Sequence, residues 1–328
     1  LLVQERLHFG RRSGPLRDML DRRYRLVDRA DLDVLDLAAV LGDEFSVSLL
    51  ASGAEQPVGS VIDALGRLDA AGLVIPVPGR AGTYRFVHAL FRTFTYDQLP
   101  ARRRLDLHNR LAETLDDHPG TIDSLARHAC SAAPLGDPVN AALLALRAGD
   151  RISSMHDPGS AGTRYRWGLD ALDTIDHPPD LLLLRLQIRH ARTLALQHDP
   201  SARPVLTAAA RRARDLDELP LMIDAICAMV PTPGGASTPG RIDEMYIDLA
   251  EQALARTDAT PSRHRVRITA ALGVDLRLST DQSQRGIELL DQAVSDAEQL
   301  DDDITLGLAM LSWQYRGFGP VDLPQALD

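Results

Sequence analysis

The sequence contains no lysine, so arginine is its only strongly basic residue. This absence excludes a P-loop lysine and a Schiff-base lysine within these residues. A GC-rich coding bias that prefers arginine accounts for the pattern without a functional reason. We therefore attach no function to the missing lysines.

Cysteine and long apolar runs are scarce as well. The two cysteines, Cys130 and Cys227, have no CxxC partner, so the sequence indicates neither a disulfide framework nor a thiolate metal site. We expect both to be buried as small apolar side chains. No run approaches the roughly 18 apolar residues of a membrane span, and the first residues lack the layout of a signal peptide. These absences predict a cytoplasmic protein without membrane association.

Aromatic residues make up only 4% of the chain, whereas alanine and leucine are abundant. This composition favours closely packed helices over sheets. The formal net charge of −10 disfavours a nucleic-acid-binding surface over the whole chain, because phosphate binding needs a basic surface. Any contact with DNA would have to be local.

The best-known catalytic motifs are also absent. The sequence has no GxxxxGK(S/T), HExxH, GxSxG or paired CxxC pattern. His108, His118 and His128 recur at ten-residue intervals, which is not the i, i+4 spacing that places two imidazoles on one metal ion. We therefore expect no enzyme activity, no catalytic residue and no metal site in this chain.

The first part of the chain has a mixed pattern. Asp28, with Asp31 as a capping-box-like partner, predicts the start of a helix that ends at Gly42. A short helix and a longer helix, 46–50 and 58–71, are followed by two β-rich runs. Three helices and a two-stranded wing are typical of a winged helix, which we predict for residues 1–99.

The remainder shows only helical signals and predicts a second domain over residues 100–328. Segments rich in alanine and leucine recur about every 40 residues, as in tetratricopeptide-like repeats. They begin near Ala141, Leu182, Met222, His264 and Ile304. The predicted fold class is therefore mostly α: a winged helix followed by a tetratricopeptide-like α-solenoid of helical hairpins. Pro231–Gly240 is interpreted as a flexible loop within it.

Several helix starts in this array have a capping side chain before a proline. Asp137-Pro138, Asp157-Pro158 and Thr260-Pro261 have this pattern, which places a cap before proline at the first helical position. The three dipeptides therefore predict where helices begin.

The helix before the wing is poorly suited to reading DNA. Its charged side chains are Asp63, Arg67 and Asp69, whereas a recognition helix presents basic or amide side chains to base edges. We predict that this module packs against another domain instead.

Arg102, Arg103 and Arg104, with Arg110 nearby, form a basic cluster in the sequence. Such a cluster suits a phosphate group or an acidic partner surface. A solvated helix face is the alternative interpretation, and it is the commoner situation.

Blocks of residues resemble those of the large ATP-binding regulators of the LuxR family. The blocks are 37–42, 64–74, 84–90 and 101–115, and the resemblance spans roughly residues 15–133. Related signal-transduction ATPases joined to nucleotide cyclases or other output domains contain similar blocks.

The resemblance implies a longer protein of which this chain is a fragment. An upstream NTPase module would bind ATP or ADP, and a C-terminal helix-turn-helix would bind promoters. The winged helix and the helical sensor arm would transmit binding of an inducer or partner protein, with oligomerisation as the response. In such ATPases a winged-helix histidine contacts the bound nucleotide, and His88 is the matching candidate. A helix cap or a hydrogen bond within the core is the alternative role for His88.

Two rival functions remain open at this stage. The helical array is also suited to a protein-interaction scaffold without switching. The regulatory region of a cyclase-coupled ATPase is a further alternative. An upstream P-loop module favours the switch, and a cyclase domain at a chain end favours the last alternative.

Overall fold

The computed structural model describes residues 22–25, 27–116, 121–230, 243–279 and 281–317. These residues are mostly helical, as the composition predicts, and they divide into two compact units, 1–137 and 138–328. None of the described helices is both long and apolar enough to cross a membrane.

Besides a helical stretch at residues 22–25, the described part of the N-terminal unit has six helices and three short strands. Its helices are α1 (Arg29–Leu41), α2 (Val47–Ala54), α3 (Val58–Ala70), α4 (Ala89–Gln98), α5 (Ala101–Asp116) and α6 (Ile122–Ser131). Its strands are β1 (Glu44–Ser46), β2 (Val74–Pro76) and β3 (Thr83–Phe86).

The strands form an antiparallel sheet in the order β1-β3-β2. The hairpin of β2 and β3 is present where the sequence predicts it, and Val74 pairs with Phe86. Strand β1 was not predicted, because its three residues carry no local strand pattern and become a strand only by pairing with β3. Phe45 and Phe86 meet edge to face at 5.6 Å and fix this sheet to the core.

Helix α1 lies at the centre of this unit, and nearly all its residues after Val34 are buried. Asp28 takes the N-cap position, but its side chain makes no capping hydrogen bond. Asp31 is not a capping-box partner either. It is buried, and its carboxylate accepts hydrogen bonds of 2.8 and 2.7 Å from Nε and Nη2 of Arg67 on α3. The predicted cap is therefore replaced by a bidentate pair that joins two helices.

The compact N-terminal unit extends beyond the predicted winged-helix boundary at residue 99. Helix α4 packs against α1, α5 packs against α1 and α2, and α6 packs against α5. Leu107 and Leu111 of α5 belong to the same apolar core as Leu35 and Leu65. Helices α4 and α5 therefore share the core of the helices that precede them, and α6 packs on α5.

The C-terminal unit is built from successive helical hairpins. Its described helices are α7 (Pro138–Ser153), α8 (Pro158–Leu172), α9 (Asp180–Leu196), α10 (Ala202–Asp215), α11 (Leu219–Ala228), α12 (Glu244–Ala255), α13 (Arg263–Arg277), α14 (Ser283–Glu298) and α15 (Asp303–Trp313), followed by a 3-10 turn (Gln314–Gly317). The predicted repeat starts all fall in the odd-numbered helices, so the spacing read from the sequence is confirmed. The predicted loop Pro231–Gly240 lies outside the described residues.

The odd-numbered helices also pack side by side. Helix α9 contacts α7 and α11, and α13 contacts α11 and α15. Each even-numbered helix packs against the odd-numbered helix that precedes it in the chain. Alternate helices therefore form one layer, as stacked repeat units do.

Helix starts agree with the sequence in two places and differ in a third. Helix α7 begins at Pro138, and the Asp157 carboxylate accepts a hydrogen bond of 3.0 Å from Ser160 N. Thr260 does not cap α13. The hydroxyl of Ser262 does so instead, because it accepts from Arg265 N at 3.2 Å.

Glycine permits the close approach of α7 and α8. A Cβ atom at Gly149 would lie 2.3 Å from Cε1 of Tyr165, which is buried between these helices. The Tyr165 hydroxyl donates a 2.8 Å hydrogen bond to Asp150. The small residue on one helix therefore makes room for the aromatic ring on the next.

Candidate interaction sites

His88 caps helix α4. It is exposed, and its Nδ1 accepts a 3.1 Å hydrogen bond from Leu90 N. Since Nδ1 accepts, the neutral ring carries its hydrogen on Nε2, and Nε2 has no partner among the described residues. The structure thus shows the capping role considered for this residue, and it leaves one ring N–H directed away from the cap.

The three arginines of the basic cluster make separate interactions. Arg102 is exposed and lies 3.5 Å from Asp106 one turn along α5. Arg103 donates to Asp33 at 2.6 Å, and the guanidinium of Arg104 lies 5.6 Å from the centre of the Tyr96 ring. Residues adjacent in sequence point in different directions on a helix, so the cluster does not form one phosphate-binding fork.

The N-terminal unit contains a polar network that the sequence does not predict. His108 and His128 are both buried, and their Nδ1 atoms lie 2.9 Å apart. The Tyr96 hydroxyl lies 3.0 Å from His108 Nε2, and Nη2 of Arg127 lies 3.0 Å from His128 Nε2. The ten-residue recurrence pointed to these histidines, but only the packing of α5 on α6 brings them together. His118 lies outside the described residues.

The direction of each hydrogen bond follows from the guanidinium. Arginine only donates, so Nε2 of His128 accepts and its Nδ1–H donates to Nδ1 of His108. Nε2–H of His108 then donates to the Tyr96 hydroxyl. A proton added to either ring would place two hydrogens against each other, so this arrangement holds two neutral imidazoles.

The surroundings of the two histidines also favour the neutral form of both imidazoles. Burial, and then the positive charges of Arg127, Arg104 and Arg92, lower the pKa of His108 to about 4. Burial and Arg127 lower the pKa of His128 to about 2. The guanidiniums would also repel a metal ion. Over the described part of the chain, no group of three or more His, Cys, Asp or Glu is arranged to hold one.

The network also binds the C-terminal end of α1. Arg127 donates to the carbonyl oxygen of Leu41, and Arg92 donates to that of Ala39 at 3.1 Å. The last carbonyls of a helix lack partners within the helix, so these arginines satisfy them and oppose the dipole. The network is a structural connection between α1 and helices α4 to α6.

A second polar feature lies on the odd-numbered helices of the C-terminal unit. We call it the arginine face. It consists of Arg147, Asp150 and Arg151 on α7, Arg185, Arg189 and Arg192 on α9, Asp224 on α11, and Arg267 on α13. Spacings of three and four residues place each group on one side of its helix.

Two ion pairs connect these helices across the arginine face. Arg189 Nε lies 3.4 Å from an oxygen of Asp150, which joins α9 to α7. Arg267 donates to Asp224 at 2.6 Å, which joins α13 to α11. The arginine face has no local sequence signal, because its members are spread over four helices and only the stacking aligns them.

The two cysteines are less buried than the sequence predicts. Cys130 and Cys227 are each partly buried, and Cys227 packs against the apolar core of the C-terminal unit. Burial raises the pKa of the Cys227 thiol, which keeps it protonated at neutral pH. Cys227 is therefore not placed as a reactive nucleophile.

Comparisons with known proteins give one distant structural likeness. No protein-family model matches the chain, and no curated protein matches it. A similar solved structure is that of a signal transduction ATPase with numerous domains (STAND) protein with a tetratricopeptide repeat sensor, from Pyrococcus horikoshii. It is 11% identical, with a TM-score of 0.37, over 96% of this chain and 51% of that one. The chain thus spans about half the length of that protein.

Proposed function

We propose that this chain is the regulatory middle of an ATP-dependent, LuxR-family-like transcriptional regulator. In this proposal the N-terminal unit contains a winged helix that contacts an NTPase module. The hairpin array is the sensor arm for an inducer or partner protein, and a separate DNA-binding domain gives the output. The observation that carries the proposal is the order of the two units, which is the order that the resemblance of residues 15–133 implies.

The topology of the N-terminal unit supports its part in the proposal. A helix and strand β1 precede two helices, and the β2-β3 hairpin follows directly and pairs with β1. The buried members of the resembling block Leu37–Val40 are core residues, so the resemblance rests on the packing of this unit.

The helix before the wing supports a protein-contact role for this unit. Arg67 is engaged by Asp31, and the other charged side chains of α3, Asp63 and Asp69, are acidic. This helix therefore offers little attraction to a phosphate backbone.

His88 offers the nucleotide contact in this proposal. Its unpartnered Nε2–H is a donor suited to a phosphate oxygen of ADP or ATP held by the NTPase module. The cap on α4 fixes the ring orientation without using that donor.

The experiment uses the full-length parent protein. His88→Ala should weaken ADP binding and raise basal output, whereas His264→Ala, an exposed histidine in the array, should leave both unchanged. Asn in place of His88 keeps the cap and serves as a second control for folding. Unchanged nucleotide affinity and output in His88→Ala would remove His88 from the mechanism.

An interaction scaffold without a switch is the second candidate function. The observation that favours it is the layer of odd-numbered helices, which presents a surface without any need of nucleotide. Partner binding that is indifferent to ATP and ADP in the parent protein would support the scaffold over the switch.

A further inference from the structure

The arginine face contains side chains without partners. The guanidinium groups of Arg147, Arg151, Arg185 and Arg192 make no ion pair or hydrogen bond with any residue of the described ranges. Most arginines elsewhere in this unit are paired. Arg212 and Arg166, on the even-numbered helices, are bound to Asp180 and Asp170 at 3.0 and 2.9 Å. The unpaired positive charges are therefore concentrated on one layer of the array.

Arg192 shows the electrostatic consequence. Partial burial, then Arg189 and Arg267, lower the pKa of Arg192, and only Asp224 and Cys227 oppose them. Two like charges therefore crowd this guanidinium, although Arg192 is an exposed residue. A carboxylate brought by a partner would offset that repulsion.

The face also has an apolar border. Three leucine residues have exposed fractions of 40%, 40% and 39%: Leu143, Leu181 and Leu196. Each is four residues from an arginine of the face and therefore on the same side of its helix. The surface thus presents both guanidinium groups and exposed leucines.

From this arrangement we propose that the arginine face binds an acidic, partly apolar peptide segment of a partner protein. The inference rests on the part of the proposed function in which the array binds a partner. Arginines one helical turn apart are about 6 Å apart along α9, and alternate side chains of an extended peptide are about 7 Å apart. Carboxylates on a peptide can therefore meet Arg185 and Arg192. Arg189 lies between them and contacts Asp150 through Nε, at 3.4 Å.

A peptide fits this face better than a nucleic acid does. Asp150 and Asp224 lie among the arginines and would repel a continuous phosphate backbone, and the chain as a whole has a net charge of −10. Single-stranded nucleic acids also need aromatic side chains on which bases stack, and none belongs to the arginine face. Exposed leucines instead match the apolar side chains of a peptide.

The test uses the purified chain and a fluorescein-labelled peptide of alternating glutamate and alanine, followed by fluorescence anisotropy. We expect saturable binding that weakens with added salt, and none for the alternating lysine–alanine peptide. Arg185→Gln with Arg192→Gln should weaken binding about tenfold or more, because each removes a charge-assisted hydrogen bond. Arg166→Gln with Arg212→Gln is the matched control and should bind as the unchanged chain does.

Folding of each variant is checked by the fluorescence of Trp167 and Trp313, both in this unit. Arg185→Gln alone, at an exposed site, should lower the affinity with no change in that fluorescence. Three outcomes would overturn the inference. The acidic peptide shows no saturable binding, both double variants lose affinity equally, or oligothymidine binds more strongly than the acidic peptide. The His88 result in the parent protein is independent of these outcomes, so failure of the inference is distinguishable from failure of the proposed function.

Discussion

At the scale of single residues, the histidine pair makes the N-terminal unit sensitive to acid. The unfolded chain protonates both imidazoles below about pH 6.5, whereas the folded network keeps them neutral until their lowered pKa values, about 4 and 2, are reached. Folded-state pKa values below the unfolded ones mean that this stability is present above pH 6.5 and is lost as the pH falls.

We expect the loss to approach about 1.4 kcal/mol per pH unit for each histidine. Thermal unfolding followed by circular dichroism between pH 7.5 and about pH 4.5 measures it, and replacing both His108 and His128 by Gln should remove it. The imidazole NMR signals of His108 and His128 should not titrate between pH 8 and about pH 5. Titration of either signal in that range would contradict the proposed direction of the hydrogen bonds.

Asp36 has the opposite effect on the pH dependence of stability, because it lowers stability as the pH rises. Burial raises its pKa to about 6, against the smaller opposing effect of Arg103, and one of its oxygens has no partner among the described atoms. The folded state therefore keeps a proton that the unfolded state releases above about pH 3.8. Stability falls as the pH rises from about 3.8 to about 6, and the full cost persists at higher pH.

Asp36→Asn removes this cost. We expect the variant to be more stable than the unchanged chain by about 1–3 kcal/mol at pH 8, with a smaller difference near pH 5. Chemical denaturation at the two pH values measures the change. A variant that is less stable at pH 8 would show that the carboxylate makes a favourable contact there.

At the scale of secondary-structure elements, the sequence predicts most helices because their apolar periodicity is local. The repeat spacing and the Asp157 cap are confirmed for the same reason. The sequence does not predict strand β1 or the Asp31–Arg67 pair, because both depend on contacts between elements. It also does not predict the Ser262 cap, because neighbouring polar residues compete for that position. The His108–His128 pair and the arginine face depend on packing in the same way.

The contact between α7 and α8 gives a prediction at this scale. Gly149→Ala should destabilise the C-terminal unit by about 1–3 kcal/mol, because the methyl group overlaps the Tyr165 ring. Unfolding followed by the fluorescence of Trp167, on α8, measures the effect. Gly307→Ala on α15 is the control, because a Cβ there meets nothing within 4 Å, and this variant should be neutral or slightly stabilised. Equal effects of the two substitutions would contradict the packing account.

At the scale of the whole molecule, the sequence predicts two parts but not where the compact units divide. The predicted boundary at 99/100 follows the end of the wing, whereas the units divide at 137/138. Helices α4 to α6 join the first unit through the histidine network and the shared core, neither of which has a local sequence signal. The proposed winged helix would therefore lie within a larger N-terminal unit.

The charge distribution also predicts that this chain does not bind double-stranded DNA at physiological salt. The net charge is −10, and the arginine of α3 is engaged by Asp31. Fluorescence anisotropy with a labelled duplex of mixed sequence measures this. Salt-dependent binding that Arg67→Ala abolishes would show that α3 is a DNA-recognition helix.

The most direct test of the central claim is the in-frame translation of the coding region on both sides of this sequence. The account predicts a P-loop NTPase module upstream of Leu1 and a DNA-binding helix-turn-helix downstream of Asp328. Stop codons on both sides would contradict the regulator and leave a scaffold, and a nucleotide cyclase domain would place the same two units in a different output protein.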